Sequence, residues 1–211
     1  DKKSVLLNHK YDIYEVALDG SEVKNITKGE GEKNNIIFRY VSLNPFNKYI
    51  DTNKEIIISA FGELSKKNGF FALKKGSTPK PLIYTDARFG RPSKAEDANI
   101  VVVTKETFVD FPDYYSTNTK FKNLKKITDA NPQQQDYAWG SRKLVEFKNG
   151  KGRTVQGTLT PPANYEEGKK YTTIIYFYEK LSDRHHRCSM PRYDDRPHMS
   201  TYASNGYMLF M

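Results

Sequence analysis

At 211 residues the chain is long enough for one large or two modest domains with a real core. Its aromatic content of 13% and hydrophobic content of 37% mark it as globular rather than disordered. The net charge of +9 comes from lysines scattered among acidic residues, with no run of five like charges and no arginine cluster interleaved with aromatics. That pattern is a solvated surface, and no nucleic-acid partner is expected. One cysteine, Cys188, excludes an internal disulfide and a zinc site with two thiolates, but it does not fix the compartment. No apolar run approaches the ~18 residues of a membrane-spanning helix.

In chain order, residues 1–60 alternate short apolar runs with polar turns. Val5-Leu6-Leu7 and Ile13–Leu18 read as strands. Asp19-Gly20 is a strong hairpin signal, with Val23–Thr27 as the return strand. Lys28–Asn35 reads as a solvated loop, and Ile36–Val41 and Ile56–Ile58 as further strands. Asn25-Ile26-Thr27 matches a glycosylation sequon, but it reads better as a strand end beside a turn. The same grammar recurs in Gly69–Leu73, the turn Lys74–Lys80 and Pro81–Tyr84, and again in Phe121–Thr128. The unit ends Ile26, Leu82 and Ile127 lie 56 and 45 residues apart. Such a spacing fits four-stranded propeller blades, with an open sandwich as the alternative. About three blades are too few to close a propeller, so residues 1–138 are expected to be its last blades.

A polar linker, Asn131-Pro132-Gln133-Gln134-Gln135, precedes Trp139. Beyond it the texture changes. Lys143–Phe147 and Val155–Leu159 flank Asn149-Gly150, a second hairpin signal. Ile174-Ile175-Tyr176-Phe177-Tyr178 is a continuous apolar run and predicts a strand over 172–178 buried on both faces. Asp195-Arg196-Pro197 reads as a helix start with Asp195 as cap. Met199, Tyr202 and Ala203 then give an apolar face, and Asn205-Gly206 a stop. Tyr207–Met211 reads as the next buried strand. A chain that starts at Asp1 and stops inside that run reads as a piece of a longer protein.

The candidate chemistry is sparse. Asp183, His185, His186, Cys188 and His198 make a metal-like cluster, but adjacent histidines chelate poorly and Arg184 and Arg187 would repel a cation. An exposed charged loop is expected, with no metal and no cofactor. Cys188 lacks a group that would depress its thiol pKa, so it is no nucleophile. Asp194-Asp195 could form a carboxylate pair, yet neighbouring residues rarely converge on one substrate atom. No serine sits in Gly-x-Ser-x-Gly, and no glycine-rich phosphate loop occurs.

Taken in order, Trp139-Gly140, Lys143–Phe147, Val155–Leu159, Thr160-Pro161-Pro162, Tyr165, Gly168–Tyr171 and the strand ending at Tyr178 resemble the opening of the peptidase domain of the prolyl oligopeptidase family. Those are serine peptidases with a β-propeller ahead of an α/β-hydrolase domain. The resemblance implies a mostly β chain. Residues 1–138 would be about three C-terminal blades of a β-propeller, and residues 139–211 the truncated start of the hydrolase domain. It implies peptide substrates for the intact parent, and it fits an exported or periplasmic bacterial protein. The family's Ser, Asp and His would lie beyond Met211, so this fragment is expected to be inactive. Read from the residues alone, Tyr178 is another core aromatic capping a strand, like Tyr176; the resemblance places it instead as an oxyanion-hole donor, because Tyr178 follows Tyr171 by seven residues as in the family. Lys180 stands where the family often has glycine. The alternatives are a non-catalytic propeller that binds protein, and an esterase on the same architecture.

Overall fold

The computed structural model describes residues 3–44, 46, 49–190 and 197–211. They form two compact units, Asp1–Lys105 with Tyr114–Thr128, and Glu106–Asp113 with Asp129–Met211. The chain is mostly β, and its sheets are open.

In the first unit, β1 (Ser4–Asn8), β2 (Ile13–Ala17) and β3 (Val23–Asn25) form a three-stranded antiparallel meander. Gly20 has φ 74 in the β2–β3 turn, where the Asp-Gly pair predicts it. The helix α1 (Glu30–Asn34) follows, then β4 (Ile36–Val41), β5 (Ile56–Gly62), β6 (Asn68–Leu73) and β7 (Lys80–Thr85), a four-stranded meander. A third sheet contains β8 (Arg88–Phe89), β9 (Ser93–Lys94), β10 (Val101–Glu106), β11 (Asp113–Thr117) and β12 (Lys125–Lys126), in the order β12-β11-β10-β8 with β9 also on β10.

The middle sheet is apolar on both faces, because successive strand residues point to opposite sides. On β5, Ile57 enters one core and Ile58 the other; on β6, Phe70 and Phe71 divide in the same way. One core adds Phe89, Val101, Val103 and Phe121, and the other adds Ile13, Phe38 and Leu73. Phe70 stacks on Phe121 at 4.5 Å and Phe38 meets Phe71 edge-on at 5.3 Å. At Gly69 the backbone of β7 lies so close that a Cβ would sit 1.9 Å from the Ile83 oxygen.

Two expectations for this unit are corrected. Lys28–Asn35 is not a plain loop, since residues 30–34 are helical. The buried Asp12 carboxylate supplies the reason: it accepts from the Gly31 and Glu32 amides at 3.2 and 3.1 Å. The Thr27 hydroxyl donates to the same carboxylate at 2.5 Å and accepts from the Ile13 amide. Thr27 of the sequon is fully buried in this network. Phe121, expected to begin a strand, has φ 52 and fills the core from a turn.

In the second unit, β13 (Lys143–Lys148) and β14 (Thr154–Thr160) pair in register from Lys143–Leu159 to Lys148–Thr154. Their connection uses Gly152, at φ 72, rather than Gly150 as its left-handed residue. The Asn149 carboxamide oxygen accepts from the Lys151 and Arg153 amides and sets that longer turn. Next come β15 (Thr173–Ile175), α2 (Met199–Ser204) and β16 (Met208–Phe210), in the sheet order β13-β14-β16-β15. β15 and β16 are parallel, so α2 lies on their crossover. Gly157 admits this arrangement: a Cβ there would meet the Phe210 ring and the Met211 oxygen within 2.8 Å. Ala203 and Leu209 are fully buried beside Met199. Tyr202, expected on the buried face of α2, is exposed and Ser200 is buried instead, because the buried stripe of this helix runs through Met199, Ser200 and Ala203. Asp194, Asp195 and Arg196, read as a carboxylate pair and a helix start, lie outside the described residues, and the helix follows His198.

Candidate active-site strand end

The run Ile174–Tyr178 is not buried on both faces. Among the described residues β15 is the edge of its sheet and pairs with β16 alone, through Thr173–Met208, Ile174–Leu209 and Ile175–Phe210. The Tyr176 amide extends the ladder to the Phe210 carbonyl at 2.9 Å, after which the chain leaves the sheet. Ile175, Phe177 and Tyr178 are 66%, 85% and 63% exposed. Tyr178 therefore stands just past the carboxyl end of a parallel strand, where open α/β sheets gather reactive groups. Glu179 follows at φ 45, a left-handed turn that a glycine would adopt without strain. Tyr171, seven residues earlier, has a structural partner: its hydroxyl accepts from the Glu166 amide at 2.8 Å.

The segment after Tyr178 was expected to be an exposed charged loop. Instead it forms a short 3-10 turn, Leu181–Arg184, and buries Leu181, Ser182 and Cys188. Two residues absent from the sequence reading hold it. Arg142 donates to the Arg184 carbonyl at 3.1 Å, to the His185 and Arg187 carbonyls at 3.5 Å, and to the Thr160 hydroxyl at 3.3 Å. Its guanidinium lies 3.9 Å from the centre of the Phe108 ring. The Trp139 indole donates to the Phe108 carbonyl at 3.0 Å and ties down the bend that carries that ring. From the other side, the buried Glu106 carboxylate accepts from the Cys188 amide at 2.9 Å. Nothing local in the sequence marks these partners; they meet across tens of residues.

Burial pulls the Arg142 guanidinium down to about 10, still charged at neutral pH. Burial, followed by the field of Glu106, pushes the Cys188 thiol up to about 11, against a smaller opposing pull from Arg142. Cys188 is therefore protonated and packed, the reverse of an activated nucleophile. The His185 and His186 rings lie edge to face at 4.6 Å. Among the described residues no three or more His, Cys, Asp or Glu side chains are grouped so as to hold a metal ion. Also among the described residues, no helix is long and apolar enough to cross a membrane.

No protein-family model matches the chain, and no curated protein matches it in sequence. Solved structures do match. A candidate dipeptidyl aminopeptidase IV of Bacteroides ovatus is 19% identical, with a TM-score of 0.63 over 100% of this chain and 32% of that one. The acylaminoacyl peptidase of Pyrococcus horikoshii is 17% identical, with a TM-score of 0.60 over 100% and 31%. The fold is that of the prolyl oligopeptidase-family peptidases. Porphyromonas gingivalis dipeptidyl peptidase 4 shares this prolyl oligopeptidase fold at 11% identity and a TM-score of 0.63, over 98% and 28% of the two chains. The chain spans about a third of the length of these structures. Identities this low carry the fold and leave the chemistry to be argued from the residues.

Proposed function

We propose that the chain is part of a serine peptidase of the prolyl oligopeptidase type. Residues 1–138 are read as about three blades of a β-propeller and residues 139–211 as the opening of the α/β-hydrolase domain. Successive antiparallel meanders packed face to face around apolar cores support the first part. A hairpin feeding a mixed sheet through a parallel crossover supports the second. The observation that carries the functional reading is Tyr178, exposed at the carboxyl end of β15 with no hydrogen-bond partner for its hydroxyl among the described residues.

In the whole protein, a serine would attack the peptide carbonyl, a histidine would take and return the proton, and water would release the acyl group. None of these groups is assigned within the 211 residues, which contain no Gly-x-Ser-x-Gly. The Tyr178 hydroxyl would donate to the oxyanion of the tetrahedral intermediate, beside a backbone N–H. The propeller would restrict access to peptides. One oxyanion donor is worth roughly 10²–10³ in kcat. Tyr178→Phe keeps the ring and deletes the donor, so in the full-length enzyme kcat falls by about that factor with KM little changed. If kcat stays within about threefold while Tyr176→Phe is the damaging change, Tyr178 is not the donor.

A further inference from the structure

The first unit carries a cavity that the peptidase reading does not use. Its second core opens to solvent between the end of β3, residues 52–56 and the β6–β7 turn. Ile26, Ile56 and Leu73 belong to that core, and all three line a cavity of about 290 Å³ at its edge. An engineered apolar cavity of ~150 Å³ holds benzene, so this one accepts an apolar body of about two fused rings.

The polar lining is mainly cationic. Lys24, Lys28, Lys74 and Lys75 all line the cavity. Lys24 is paired with Glu22 at 3.0 Å, and Lys74 lies 3.9 Å from Glu55. Lys28 and Lys75 differ, because their partners are neutral oxygens. Lys28 donates to the Gly76 carbonyl, and Lys75 donates to the Asn53 carboxamide oxygen at 2.7 Å. Glu15, the one carboxylate in the lining, is already occupied as an acceptor by the hydroxyls of Ser4 at 2.8 Å and Thr52 at 3.3 Å. An apolar floor with two ammonium groups that have no carboxylate partner among the described residues is complementary to an amphiphilic anion. A peptide or nucleic-acid strand is too large for a cavity of this volume, and a cation would meet four lysines.

We propose that this cavity binds a small amphiphilic carboxylate, with its apolar body against Ile26, Ile56 and Leu73 and its carboxylate between Lys28 and Lys75. The site is independent of the peptidase reading and stands or falls without it. The alternative is that the lysine stems simply cover the apolar floor and nothing binds.

The test is a titration of the 211-residue chain with 2-naphthoate and, separately, with the uncharged 2-naphthalenemethanol. Binding is followed by NMR of the Ile and Leu methyl groups. Both probes should give saturable shifts at Ile26, Ile56 and Leu73. At low salt naphthoate should bind about fivefold tighter, the size of two partly exposed charge contacts. In 0.5 M NaCl the preference should vanish in the unmodified chain. It should also vanish in Lys28→Gln/Lys75→Gln, with binding of the alcohol unchanged. The proposal is overturned if no methyl shifts occur up to the solubility limit of either probe. It is equally overturned if the two probes bind alike at low salt, or if the preference survives both salt and the double substitution.

Discussion

Arg142 offers a prediction whose size follows from its surroundings. Its downward shift to about 10 corresponds to roughly 3 kcal/mol spent on taking the guanidinium out of water. Against this stand one bond of ordinary length, to the Arg184 carbonyl, and three longer ones, to the Thr160 hydroxyl and the His185 and Arg187 carbonyls. Bonds to a charged donor contribute about 1.5–3 kcal/mol each, and the face of Phe108 adds about 1–2 kcal/mol. The balance favours the folded state by about 2 kcal/mol, so Arg142→Ala should destabilise the second unit by about that amount. Arg142→Met keeps the stem over Phe108 and removes the desolvation cost with the bonds, so it should cost only about 1 kcal/mol. Arg142→Lys keeps the charge without the planar fork and should recover less than half of the alanine loss. Trp139 is the only tryptophan and bonds to Phe108, so its fluorescence during urea unfolding reports on this unit. Amide exchange at residues 184–188 should accelerate in Arg142→Ala, while exchange in the β13–β14 hairpin changes less. An alanine variant within 0.5 kcal/mol of the parent, with unchanged exchange in that loop, would refute the reasoning.

The Cys188 thiol is raised in the folded state, so the unfolded chain loses that proton first as pH climbs. Stability attributable to Cys188 is intact below about pH 9 and declines toward about pH 11. Arg142, shifted down, acts with the opposite sign only above about pH 10, which leaves pH 9–10 as the window for Cys188. The melting temperature of Cys188→Ala should therefore fall less steeply than the parent's across that interval; parallel slopes would contradict the assignment. A thiol reagent at pH 8 should label Cys188 only as fast as the second unit unfolds, and rapid labelling of the folded chain would show the burial to be wrong. Gly69→Ala should destabilise the first unit by more than 3 kcal/mol, because the new methyl overlaps backbone of β7 rather than a side chain that can swing away. A circular-dichroism melt within 2 °C of the parent would sink that prediction.

Local chemistry was legible in the sequence. Asp19-Gly20 and Asn205-Gly206 place Gly20 and Gly206 at positive φ, and the apolar runs 56–58 and 69–73 are strands as read, though their division between two cores shows only in the fold. The run Ile174–Tyr178 misled, because an apolar run reports side-chain preference and not the number of neighbours. Among the described residues β15 has one neighbour, and its outer residues are exposed. The Asp12–Thr27 network and its helix were hidden for a related reason. A loop rich in Lys, Glu and Gly reads as solvated unless the carboxylate that receives its amides is known. Of the candidate site, Tyr178 came from motif order. Arg142 and Glu106 could not be found that way, since they reach the 184–188 segment across 42 and 82 residues and no local pattern encodes such a meeting.

The central claim is tested most directly by labelling the full-length protein with a fluorophosphonate, which reacts only with an activated serine. The account predicts stoichiometric labelling outside the 211 residues, with hydrolysis of dipeptide amides lost in step, and no labelling or turnover in the 211-residue chain alone. A full-length protein that neither labels nor hydrolyses these amides, or a 211-residue chain that does, would contradict it.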